Sequence, residues 1–132
     1  MKKFLIYITL VTLVGCAEKQ EYEQAVVEQM KQEKDIKDYK IEPEEMAKCV
    51  VETTSNNMPG LFTVDPTRLS SYKNYTKMLT LNSSSDPKKT LDELRKDFGD
   101  AKKLADAHAN YTESVLNCMS GLVTSDEKEL IK

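Results

Sequence analysis

From residue 91 to residue 122 the chain repeats one spacing. Leu91, Leu94, Phe98, Ala101, Ala105, His108, Tyr111, Val115, Cys118 and Leu122 follow one another at intervals of three or four. That interval lays them along one face of an α-helix sustained over many turns, and such a face must be buried against other elements. A half-buried strand needs alternation at every second residue, and no stretch of the chain sustains it. Gly99-Asp100 interrupts the repeat. A glycine can end one helix and an aspartate can cap the next, so a break or kink is expected there. Gly121 is expected to mark a frayed end, and residues 125–132 a polar tail.

The preceding segments carry repeated helix-start signals. Pro43 suits a first helical position, with Glu44 and Glu45 at the positive end of the dipole. Met46, Cys49, Val50 and Thr53 then share a face, and the helix should stop near Asn56 or Asn57, before Pro59-Gly60. Asp65-Pro66 opens the next helix, with Leu69, Tyr72, Thr76 and Leu79 as its stripe and Tyr75, Met78 and Leu81 widening it. Asp86-Pro87 repeats the signal. Residues 18–40 are good helix formers without Gly or Pro, but their apolar positions are sparse. The reading is an all-α fold: a small bundle of three to four helices in residues 43–124 with one disulfide, preceded by an acidic, partly helical tether in residues 16–42.

The N-terminus has its own pattern. Lys2 and Lys3 precede residues 4–14, which carry no charge, and Leu13-Val14-Gly15-Cys16 follows directly. The run is too short to span a bilayer, which takes ~20 apolar residues. A basic head, a short apolar run and a small residue describe an exported signal. Residues 1–17 resemble the lipobox signal of bacterial lipoproteins. The resemblance implies a signal peptide over 1–15, cleavage between Gly15 and Cys16, and a diacylglyceryl group on the Cys16 sulfur, with an N-acyl chain added. Two or three acyl chains hold a protein firmly where one does not. In a Gram-negative host the same resemblance implies the outer membrane, because Ala17 rather than aspartate follows Cys16, with the periplasmic face expected.

Charge is uneven. The whole chain carries −3, yet residues 17–45 hold ten acids and five bases, while residues 46–132 hold twelve of each. The acidic part lies next to the anchor, where anionic head groups would repel it. The lack of a basic cluster argues against nucleic acid. An exported chain meets an environment where disulfides persist, and Cys49 and Cys118 allow one intramolecular pairing, which is the expected one. Both lie on apolar helix faces. The alternative is two free thiols that bind a metal together with His108.

Candidate chemistry is thin. His108, the one histidine, sits on the stripe and reads as a core or half-buried residue. No CxxC, HxxxH or CxxCH spacing occurs, and no Gly-rich phosphate loop. Asp92, Glu93, Asp97 and Asp100 crowd one segment, but Arg95, Lys96, Lys102 and Lys103 interleave them as on a solvated face. No catalytic residue, cofactor or metal is assigned, and an enzyme is not expected. The suggestive segment is "NMPGLFTV", residues 57–64: a loop by its Pro59-Gly60, yet rich in large apolar side chains. Met58, Leu61 and Phe62, with Tyr72 and Tyr75 beyond, are the candidate partner-binding set. The expected role is a non-enzymatic, lipid-anchored interaction or assembly module of the envelope with a protein partner. In size, anchor and class the chain is similar to helical secretin pilotins, which bind a helical segment of their secretin. The alternative is a small-ligand or metal binder using His108 and sulfur ligands.

Overall fold

The computed structural model describes the backbone of residues 14–130 and the side chains of residues 17–125. Among these residues six helices follow in chain order: α1 Val14–Gln32, α2 Lys34–Asp38, α3 Pro43–Asn56, α4 Pro66–Leu79, α5 Pro87–Phe98 and α6 Ala101–Leu130. A 3-10 turn, Leu81–Ser83, joins α4 to α5. No strand occurs among the described residues, so the fold is all-α as expected.

The start signals act as their chemistry dictates. Asp65 Oδ1 accepts the Thr67 amide at 2.8 Å, Asp86 Oδ1 accepts the Lys89 amide at 3.0 Å, and Pro66 and Pro87 occupy first helical positions. Each cap satisfies an amide that the first turn leaves without a helical partner. At Gly99 the chain turns through φ +111°, and Asp100 Oδ1 accepts the Lys103 amide at 2.8 Å to open α6. The helix therefore breaks there.

That corner resets the helical phase, which corrects part of the stripe. A face counted straight through Gly99 runs over Ala101, Ala105 and His108, and all three are exposed. The side of α6 turned to the core carries Leu104, Ala107, Tyr111, Ser114 and Cys118 instead. The expected end at Gly121 is also corrected. The helix runs on to Leu130, so residues 125–130 are not a separate tail. A Cβ at Gly121 would meet nothing within 4 Å. The Thr124 hydroxyl donates to the Ser120 carbonyl at 2.9 Å and the Ser125 hydroxyl to that of Leu122 at 2.7 Å, along the same turns.

The acidic segment is helical, but it does not stand apart from the bundle. Tyr22, Val26, Val27 and Met30 of α1 are buried, as are Ile36 of α2 and Ile41. α1 lies in the notch between α3 and α4 and packs on both. Its apolar stripe is narrow, and a narrow stripe suffices where two helices close over it. The domain boundary expected at residue 43 is therefore not a structural one.

The core centres on tyrosines. The Tyr22 ring stacks on Tyr72 at 5.9 Å and meets Tyr75 edge-on at 5.5 Å, and Phe98 lies edge-on to Tyr75 at 5.8 Å. Edge-on and offset pairs of this kind add ~0.5–1.5 kcal/mol beyond area burial. The hydroxyls of Tyr22, Tyr72 and Tyr75 each have a partner. Tyr22 pairs with Thr54 Oγ1 at 3.0 Å, Tyr72 with Ser55 Oγ at 3.0 Å, and Tyr75 accepts from Asn110 Nδ2 at 2.9 Å. Burial pushes the Tyr22 and Tyr75 hydroxyls above the usual phenol range and the Tyr111 hydroxyl up to about 12.

The expected Cys49–Cys118 bridge is formed, with the Cα atoms 5.9 Å apart. It ties α3 to α6 across a sequence separation of 69 residues. A loop of that length is worth about 4 kcal/mol in the chain-entropy account.

Candidate functional site

α4 and α6 are neighbours that do not close on each other. α4 packs on α1 and α5, while α6 packs on α3 and α5. The space between them is a groove of about 640 Å³. Its floor is the edge of Tyr75 with Phe98 and Ala107, and its walls include Ser70 and Asn74 of α4 and Ala109 of α6. Asn57 and Pro59, at the foot of the 57–65 loop, close one end.

Asn110 organises this groove. Its amide nitrogen donates to the Tyr75 hydroxyl at 2.9 Å and to the Thr54 carbonyl at 3.1 Å. Its amide oxygen accepts from Asn57 Nδ2 at 2.9 Å. One side chain thus joins α6 to the end of α3, to α4 and to the loop foot. Asp97 and Asp106 line the groove with Glu113 and Lys103. Asp97 holds Lys77 at 2.9 Å and Asp106 holds Lys102 at 2.8 Å. The Asp97 bond, then that of Glu93, raises the Lys77 ammonium above its usual range, and Asp106 does the same for Lys102. Amides and hydroxyls over an aromatic floor can bind a segment of chain, donating and accepting without changing charge.

The partner-binding set divides. Phe62 is 70% exposed, Leu61 86% and Val64 68%, so the loop tip does face solvent. Met58, Tyr72 and Tyr75 are buried, which corrects the expectation that they line one surface with Phe62. Tyr72 is a core residue, Met58 plugs the core beneath the loop, and of the set only Tyr75 reaches the groove. The reason is position. Tyr72 and Tyr75 point at α1, a helix the sequence pattern did not place in the bundle.

His108 is exposed rather than core or half-buried, a further result of the phase reset at Gly99. The disulfide consumes both sulfurs that a thiolate site with His108 would need, since thiolates are the ligands in such sites. No cluster of three potential metal-binding side chains occurs among the described residues. Gly15 and Cys16 fall in the first turn of α1, while residues 1–13, with most of the signal pattern, lie outside the described residues. Among the described residues no helix is long and apolar enough to cross a membrane.

Arg68 was not singled out in the sequence, and it holds the loop. It donates to four carbonyls, those of Ser55, Met58, Pro59 and Gly60. A signal for it existed: it is one of only two arginines in a lysine-rich chain. A planar guanidinium fork can serve several fixed acceptors where an ammonium serves as a point charge. Asn110 carried no such signal. Comparison of the chain with protein-family models, curated proteins and solved structures finds no match.

Proposed function

We propose that this protein is a non-enzymatic interaction module of the cell envelope, held to the outer membrane through lipidated Cys16, and that it receives a helical segment of an envelope protein. The groove between α4 and α6 carries the reading. It is preformed, floored by Tyr75 and Phe98, and walled by fixed amides. Concave sites of this make-up, mostly aromatic below with a few oriented polar groups, are where small apolar anchors of a helix dock. The role is similar in outline to that of helical secretin pilotins. A stretch with an apolar face and a lysine or arginine near Glu113 fits it best.

The test places a photo-cross-linking residue at Ala109, on the groove wall, and at Glu52, on the exposed side of α3. The expected result is one envelope protein joined at position 109 and not at 52, with the cross-link on a helical segment. Ala109→Arg should abolish the capture without changing the melting curve. Equal capture from both positions, or capture indifferent to Ala109→Arg, would overturn the groove.

A further inference from the structure

We propose that the apolar tip at Leu61, Phe62 and Val64 is a lipid-docking point that enters the bilayer beside the anchor. The inference rests on the anchor reading above and adds a second contact to it.

The tip is built to stay out. A flexible loop with three large apolar residues would fold them onto the bundle, because burial of each is favourable. This loop cannot. Arg68 pins its first half through the Met58, Pro59 and Gly60 carbonyls. Asp65 pins its second half, accepting the Leu61 amide at 3.2 Å while its own amide donates to the Phe62 carbonyl at 3.0 Å. Gly60 sits at φ +97°, and a Cβ there would lie 2.8 Å from the Arg68 backbone nitrogen. Met58 alone turns inward. A braced, contiguous apolar tip on a small domain marks a contact surface.

The position of the tip selects the occupant. α1 and α3 run antiparallel, joined through residues 33–42, and Tyr22, midway along α1, bonds Thr54 near the end of α3 at 3.0 Å, so the first half of α1 lies towards that end. α4 begins at that same end, where Arg68 bonds the Ser55 carbonyl, and it runs parallel to α1: Lys73, midway along α4, reaches Glu18 at 3.5 Å, and Gln29 donates to the Leu79 carbonyl at 3.3 Å at the far end of α4. The first turn of α1, with Cys16, and the loop therefore share one end of the bundle. Glu18 and Asp65 at this end offset Lys73 and Arg68, so attraction to anionic head groups is weak and the contact is apolar insertion.

The chain has no tryptophan, so a single substitution makes a clean reporter. The lipidated protein is reconstituted in phosphatidylethanolamine–phosphatidylglycerol vesicles whose acyl chains carry bromine. Phe62→Trp reports the tip, and Tyr39→Trp, at an exposed site at the opposite end, serves as control. The expected result is flotation of both, a blue shift and at least twofold quenching for Phe62→Trp only, and loss of that quenching when Leu61→Asp is added. Flotation with no quenching, or with equal quenching at both sites, overturns the docking point and leaves the anchor standing. Failure to float overturns the anchor and the docking point together.

Discussion

If residues 17–42 were a tether, removing them would leave the domain intact, whereas the packing of α1 predicts that the domain is lost. Tyr22, Val26, Val27, Met30 and Ile36 are each buried to within a few per cent. At ~1.5–3 kcal/mol per fully buried side chain, their joint contribution is about 7–15 kcal/mol, an upper estimate because unfolded chains already bury some surface. Domains of this kind are stable by only ~5–15 kcal/mol in total. A chain starting at Pro43 should therefore be unfolded or molten, disulfide included. Its near-ultraviolet tyrosine circular dichroism should vanish and its thermal transition should lose cooperativity. A single substitution gives a graded version. Tyr22→Ala should cost about 3–5 kcal/mol, the range for large aromatic truncations in cores. Tyr39→Ala, at a position 56% exposed, should stay within ~0.5 kcal/mol. The readout is chemical denaturation followed by circular dichroism. A cooperative transition at an unchanged midpoint in the shortened chain would refute the reasoning.

Reducing the Cys49–Cys118 bridge should cost about 4 kcal/mol, or about 15 °C of melting temperature for a domain of this size, read by calorimetry with and without reductant. At alkaline pH the sign follows from the raised Tyr22 hydroxyl. The unfolded chain releases its phenol proton near pH 10 while the native state keeps it, so stability is full below pH 10 and falls above it. The slope from Tyr22 is about 1.4 kcal/mol per pH unit, and Tyr22→Phe should flatten the pH dependence of the denaturation midpoint by that amount. Gly60→Ala should be worse than Gly99→Ala. Both have positive φ, but at Gly60 the new Cβ meets Arg68 backbone at 2.8 Å, while at Gly99 it meets the flexible end of Lys103 at 3.2 Å. Roughly 1 kcal/mol is expected at Gly99 and about 2–3 at Gly60, measured by denaturant midpoints.

Much of the fold is legible in the sequence because it is written locally. Asp65-Pro66, Asp86-Pro87 and Gly99-Asp100 each fix a helix end by chemistry within four residues. The disulfide follows from two cysteines on apolar faces. What was not legible depends on partners distant in sequence. The α1 stripe of Tyr22, Val26 and Met30 is too narrow to announce a core helix, and becomes one only between α3 and α4. Placing Ala105 and His108 in the core required counting through Gly99, where a φ of +111° resets the face. The loop is marked by its composition, but Tyr72 belongs to the core rather than to the loop surface, because a stripe of aromatics does not say which helix it faces. The groove could not be read at all. It exists because α4 and α6 each have a better neighbour, which is a property of the whole packing.

The burial of α1 also changes what an anchor at Cys16 would do. A free tether over residues 16–42 would let the module range tens of ångströms from the membrane. With Glu18 already buried against the bundle, the domain has almost no slack after Cys16. An anchored domain without slack would have a restricted set of orientations, with its loop end towards the lipid. The loop would then meet the bilayer as an intramolecular event, favoured by effective concentration rather than by its own affinity. Inserting a flexible Gly-Ser linker of ~20 residues after Cys16 tests this, since such a linker has a root-mean-square reach of ~25 Å. Quenching of the Phe62→Trp indole should drop severalfold while flotation is kept. Capture through Ala109 should fall as well if the partner segment lies close to the membrane surface. If the indole stays fully quenched with the linker in place, the loop binds lipid by its own strength, and the short connection from Cys16 to the bundle has no part in orienting the domain.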